Sequence, residues 1–199
     1  MLLRAALLPT AQAQAAWTEW RRRQSLDGID HVAFYLLPEL YHNLAGQPAA
    51  ADLGRLRGTS RKTWYDNQLL SEQFNLAANT LRAAGIVPLV TGGLAWLARR
   101  PERLARRSAD DTALVVPPDR VLAAWAALRA AGWRPAMEGA DPTVTFPIWP
   151  RAHIQAGYAG RPIALAWRPF PIGAWPEAER EIWRTASSGQ VAGVEVNLP

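Results

Sequence analysis

The chain has 199 residues, 49% of them apolar, which is enough for one sizeable core or a core plus a smaller helical lobe and excludes a disordered chain. It has no cysteine, so disulfides, thiolate metal sites and cysteine nucleophiles are excluded, and a cytoplasmic location is compatible with this. The net charge of +5 is carried almost wholly by arginine, with Lys62 the only lysine, and reads as a compositional bias.

The opening stretch, MLLRAALLPTAQAQAAW, has leucines and an Ala-x-Ala ending, but no cation precedes its apolar run, Arg4 interrupts it and Pro9 closes it. That is too short for a secretory core or a membrane span, so no membrane association is expected and a short packed helix is predicted. Pro9 and Thr10 open a second helix, in which Ala13, Ala16, Trp17 and Trp20 share a face. Arg21, Arg22 and Arg23 crowd its last turn, where cations suit the dipole. A third helix is predicted after Asp27 or Asp30, with Val32, Leu36, Leu37 and Leu40 inward and Tyr41 near its end. His31 and His42 read as structural or surface residues, because neither has a second ligand at coordinating spacing on its face. Residues 46–60, GQPAAADLGRLRGTS, form the most linker-like stretch. From Lys62 to about Ala84 an amphipathic helix puts Leu70, Phe74, Ala77 and Leu81 on one stripe, with Gly85 as its stop.

After Gly85 short strands and helices alternate. IVPLV, 86–90, reads as a buried strand turning through TGGLAWL into a helix. TALVV, 112–116, is a second strand, followed by a helix with Pro118 at its start and Gly132 at its end. TVTFPI and IALAW follow, then a helix from about Pro176 to Ala186. The expected fold class is α+β: a small mixed sheet within residues 85–199, packed on a helical lobe of residues 1–84 as one compact unit.

Two segments bear on chemistry. On a helix from Pro101, Arg100, Arg103 and Arg107 would fall on one side and lead to Ser108 and the acidic pair Asp110 and Asp111. Arginine forks suit phosphate oxygens, so Arg103, Arg107 and Ser108 are candidates for holding a nucleotide or another phosphate-bearing ligand, with a solvated charged face as the alternative. No aromatic residues interleave this ridge, which argues against nucleic acid as a partner. Trp149, Trp167, Trp175 and Trp183 fall in a proline-rich final third that reads as a largely buried cluster with an edge for a protein partner.

Five stretches, in order, carry a resemblance: GIDHVAFYLLPELYHNL (28–44), LRAAGIVPL (81–89), TGGLAWLA (91–98), ADDTALVVPPDRVLAAWAALRAAGWRP (109–135) and PIALAWRP (162–169). Together they resemble the uncharacterised bacterial nucleotidyltransferases that share the DNA-polymerase-β-like nucleotidyltransferase fold. The resemblance implies a sheet of that type, with Gly92 and Gly93 letting backbone N–H groups approach a nucleotide phosphate. It implies also an Asp-x-Asp pair and a third carboxylate from a neighbouring strand, which hold Mg²⁺ for in-line attack on the α-phosphorus.

The chain departs from that pattern. Counting back from Pro117, Asp-x-Asp falls on Asp110 and Thr112, or one residue earlier on Ala109 and Asp111, so one carboxylate remains either way. Asp110 and Asp111 cannot both serve from adjacent extended positions, which face opposite sides. Family members read Asp-Leu-His-Trp where this chain reads ALAW, putting Ala164 at the third carboxylate and Ala166 at the histidine. Asp110 and Asp111 are thus the candidate catalytic residues and Asp110 the remaining metal ligand, with Thr112 and Ala164 at lost positions. One aspartate makes a weak Mg²⁺ site. The expected function is that of a catalytically degenerate nucleotidyltransferase-fold protein that binds a nucleotide or a protein partner. The alternative is an active Mg²⁺-dependent enzyme transferring a nucleotidyl group from an NTP to an acceptor.

Overall fold

A computed structural model of the chain describes residues 1–45, 50–110, 112–137, 151–156, 162–169 and 176–199. Eight helices and seven strands are found among them. The helices are α1 (Leu2–Leu7), α2 (Thr10–Arg23), α3 (His31–Phe34), α4 (Leu37–Asn43), α5 (Ala50–Ala83), α6 (Gly93–Ala98), α7 (Val121–Ala130) and α8 (Pro176–Thr185). The strands are β1 (Leu89–Thr91), β2 (Ala113–Val115), β3 (Trp133–Pro135), β4 (Arg151–Ala156), β5 (Ile163–Ala166), β6 (Ser187–Val191) and β7 (Val194–Leu198). The expected α+β class holds. The residues divide into two compact units, Met1–Asn67 with Pro101–Ser108, and Gln68–Arg100 with Ala109–Pro199, so the boundary falls inside α5. No helix among the described residues is long and apolar enough to cross a membrane.

The first unit is helical. Its core gathers Leu2 and Ala5 of α1, Ala13 and Trp17 of α2, Leu37 and Leu40 of α4 and Leu56 of α5. The predicted face of α2 is the buried one, and Trp20 stacks on Trp17 with ring centroids 5.2 Å apart. Where one third helix was expected there is a 3₁₀ turn at Leu26–Gly28, then α3 and α4. Asp30 caps α3 by accepting from the Ala33 N–H at 2.7 Å. The break at Tyr35 and Leu36, with Pro38 in the first turn of α4, separates the two helical faces, so Val32 is 77% exposed instead of inward, while Leu37 and Leu40 are buried. Asn43 Nδ2 donates to the carbonyls of Ala5 and Leu8 at 2.9 and 2.8 Å, satisfying the end of α1.

The linker expected at 46–60 is helix from Ala50 onward, as part of the 34-residue α5; residues 46–49 lie outside the described residues. Its composition suggested a linker because of Gly54 and Gly58. Yet Leu56 is fully buried, and Asp52 pairs with Arg21 at 2.8 Å. These contacts offset the cost of glycine in a helix, about 1 kcal/mol per residue. Further along, Leu70, Phe74, Ala77 and Leu81 form the predicted buried stripe.

The second unit is built on a seven-stranded sheet in the order β3-β4-β5-β2-β1-β7-β6. The β2–β5 and β1–β7 pairs are parallel and the other four antiparallel. Neighbours in the central strands, Leu89 and Val90, Leu114 and Val115, Leu165 and Ala166, are all buried, so the middle of the sheet is covered on both faces. TVTFPI lies outside the described residues. The hairpin of β6 and β7 was not expected from sequence. Its two-residue turn places Ala192 at φ 50 and Gly193 at φ 85, and β7 joins the sheet beside β1. Ties from α5 and α6 hold it: Asn75 to the Ala192 carbonyl at 2.7 Å, Arg82 to Glu195 at 2.9 Å and Arg99 to the Pro199 carbonyl at 2.7 Å.

Because a Cβ added at Gly54 or Gly58 would meet nothing within 4 Å, Gly54→Ala and Gly58→Ala should each stabilise the protein by about 0.5–1 kcal/mol. Urea denaturation measures this, and a loss of stability in either variant would contradict the helical assignment of the stretch.

Candidate functional site

The glycine corner forms as expected at the end of β1. Gly92 adopts φ 81, ψ −149, a conformation open to glycine alone, and Gly93 begins the six-residue α6 as a buried residue. Thr112 locks this corner to the start of β2. Its buried hydroxyl donates to the Ala109 carbonyl at 2.7 Å and accepts the Leu94 N–H at 2.9 Å, while its own N–H closes a turn on Ala109 at 3.1 Å. Leu94 N–H, one of the donors that such a corner offers to a phosphate, is thereby occupied within the protein. Asp110 is exposed in that turn, and Asp111 lies outside the described residues.

Ala164 of β5 stands beside Ala113 of β2. Counting back from Pro117 treated Thr112 as a strand residue, whereas it closes the preceding turn, so the ladder begins one residue later. The row continues to Thr91 of β1 on one side and His153 of β4 on the other. Paired residues share a face, and the middle of this row is apolar: Ala113 and Ala164, 5% and 6% exposed, cluster with Leu89, Val115 and Ala166, with the polar Thr91 and His153 at either side. Ile182 and Trp183 of α8 pack against that cluster. A hard cation requires oxygen ligands, and this surface offers methyl groups. No group of three His, Cys, Asp or Glu residues arranged for a metal occurs among the described residues, and Asp111 lies outside them. His153, the exposed member of the row, was missed because β4 was not read as a strand. Its signal was the alternation of buried Ala152 and Ile154 about an exposed histidine.

The arginine ridge is not a helical face. Pro101–Arg103 is a single 3₁₀ turn, followed by turns up to Arg107. Arg103 pairs with Glu39 at 2.8 Å, and Arg106 lies 3.6 Å from the same carboxylate oxygen. The backbone is held from α5: Asn67 Nδ2 donates to the Leu104 and Arg107 carbonyls at 2.8 and 2.7 Å, and Ser60 Oγ donates to the Ala105 carbonyl at 2.9 Å. With the Ser60 proton so committed, the 3.0 Å contact with His42 requires His42 Nε2 to carry a hydrogen and donate. Arg103, Arg107 and Ser108 belong to the first unit, and Gly92, Gly93, Asp110 and Ala164 to the second. Glu39 and Asn67, which shape the ridge, carried no sequence motif.

Burial lowers the pKa of His42, Arg106 and Arg103 lower it further, and Glu39 opposes them. The unfolded chain therefore binds the proton more readily, near the ordinary value of about 6.5. The stability tied to neutral His42 is complete above that value and is lost as pH falls towards the lower folded-state value. His42→Gln should flatten this part of the decline in thermal midpoint between about pH 7 and 5. Profiles of the same slope would remove His42 as its source. At the corner, Thr112→Val leaves the Leu94 N–H without its acceptor and should cost about 1–3 kcal/mol, with Thr112→Ser close to the parent in denaturant melts.

No curated protein matches the chain. Residues 29–199, which take in both the glycine corner and the seven-stranded sheet, match the family model described as uncharacterised nucleotidyltransferase. With most of its length matched, the chain belongs to that nucleotidyltransferase family.

Proposed function

We propose that this chain is a catalytically degenerate member of its family, built on the DNA-polymerase-β-like plan, which acts by binding a nucleotide or a protein partner instead of by metal-dependent transfer. The observation that carries this reading is the in-register pair Ala113 and Ala164 within an apolar cluster. The resemblance puts the third carboxylate position at Ala164, and the residue paired with it is Ala113, so this pair of strand positions carries no carboxylate. Of the three carboxylates that the resemblance implies, one is left in the acidic pair Asp110 and Asp111. Ile182 and Trp183 pack against this pair of alanines, so the surface beside it is apolar and offers a hydrated cation no oxygen ligands. Occupation of the Leu94 N–H by Thr112 points the same way, because it removes a donor from the phosphate corner.

Isothermal titration with ATP, CTP, GTP and UTP, with and without Mg²⁺, tests this reading. Binding should be weak and unchanged by the metal. Tight binding that strictly needs Mg²⁺, or transfer of a nucleotidyl group to any acceptor, would overturn it.

The lost positions can be tested by restoring them. Ala113→Asp with Ala164→Asp buries two carboxylates side by side in an apolar cluster, which should destabilise the protein by several kcal/mol. Millimolar Mg²⁺ should recover part of the loss, since an ion that binds only the folded state stabilises it. The parent chain should melt at the same temperature with and without Mg²⁺. A double variant indifferent to the ion would show that these are not the lost ligand positions.

A further inference from the structure

The part of α5 that lies in the first unit presents a solvent face that the nucleotidyltransferase reading does not use. At 100° per residue, Gly54, Arg57, Gly58, Arg61, Trp64 and Tyr65 fall within an arc of about 120°, and Arg57 to Tyr65 spans about 12 Å. All six are exposed, Trp64 at 48% and Tyr65 at 56%. The neighbouring cations are already paired, Arg55 with Asp27 at 2.6 Å and Lys62 with Asp66 at 2.5 Å. Arg57 and Arg61, one turn apart, have no ion pair among the described residues. No other large apolar side chain is exposed on this stretch.

Two free guanidinium groups leading to two exposed aromatic rings are what the arginine ridge at 99–107 lacks. We propose that this face of α5 binds single-stranded nucleic acid, with Arg57 and Arg61 on successive phosphates and Trp64 and Tyr65 stacking on bases. The charge balance selects this occupant: the carboxylates beside the face, Asp27 and Asp66, are already bound to Arg55 and Lys62, which leaves Arg57 and Arg61 as its uncompensated charges. Gly54 and Gly58 have no atom within 4 Å of the Cβ position, which leaves room for a strand to lie close to the helix. The inference uses no residue of the glycine corner or the β2–β5 row, so it stands or falls separately from the degenerate-site reading.

The test is fluorescence anisotropy of the full chain with labelled 12-nucleotide oligo(U) and oligo(dT), from 50 to 200 mM salt. Binding should weaken with salt with a log–log slope near −1.4 for two phosphate contacts. Arg57→Gln with Arg61→Gln should flatten that slope and lower affinity at 50 mM salt by at least tenfold. Trp64→Leu should lower affinity roughly tenfold while Trp64→Phe retains most of it, since stacking needs a ring and not merely an apolar side chain. Circular dichroism melts of these surface variants should match the parent. The proposal is overturned if neither oligonucleotide binds at 50 mM salt, if the double arginine variant binds as the parent does, if Trp64→Leu and Trp64→Phe are equivalent, or if polyglutamate competes as well as oligo(U) does.

Discussion

The parallel pairing of β2 with β5 is the constraint on which the second unit depends. Once Ala113 lies beside Ala164 and Val115 beside Ala166, alternation decides which side chains look towards α8 and which look away. One residue of slip would exchange the two faces: Leu114 and Leu165 would point at Ile182 and Trp183, and the small residues that let the helix lie close would be lost. Alanine at these positions is therefore a packing choice. A carboxylate there would need water or a cation, and a helix lying on the sheet supplies neither.

Thr112 does for the entry of β2 what the register does for its middle. Its hydroxyl spends both of its hydrogen-bonding roles locally, one on Ala109 and one on Leu94, so the corner and the strand are held in one geometry. The segment 101–108 is fixed by comparable means. Its carbonyls are taken by Asn67 and Ser60, and two of its arginines converge on Glu39. Arg103 is thus part of the scaffold of the first unit, and its charge is balanced before any ligand arrives.

Long apolar periodicity was legible in the sequence. The stripe Leu70, Phe74, Ala77, Leu81 and the face of α2 were read correctly because 3.6-residue spacing over several turns has few competing explanations. The strands at Leu89, Ala113 and Ile163 were found from their short buried runs. The start of β2 was placed one residue early, because a threonine before an alanine looks like strand whether or not its hydroxyl closes a turn. Val32 failed because helical spacing was carried across a break between α3 and α4. The glycines at 54 and 58 suggested a linker, yet tertiary burial of Leu56 and the Arg21–Asp52 pair override that local preference. The residues that tie the ridge, Glu39 and Asn67, are single polar side chains whose meaning depends on partners far away in sequence. No spacing rule reaches them.

The β6–β7 hairpin gives the second unit an unusual order of completion. β7 lies beside β1, and the bonds that fasten the hairpin join residues 117 and 100 positions apart in the chain. Until residues 194–198 arrive, β1 is an outer strand with one row of backbone groups unpaired and Arg82 without Glu195. Contacts of such long separation must close a large loop before they return any stabilisation, which slows folding relative to a helical assembly of similar size. The first strand of this unit therefore waits for the last, and the nascent sheet has a sticky margin for most of the time that it takes to emerge.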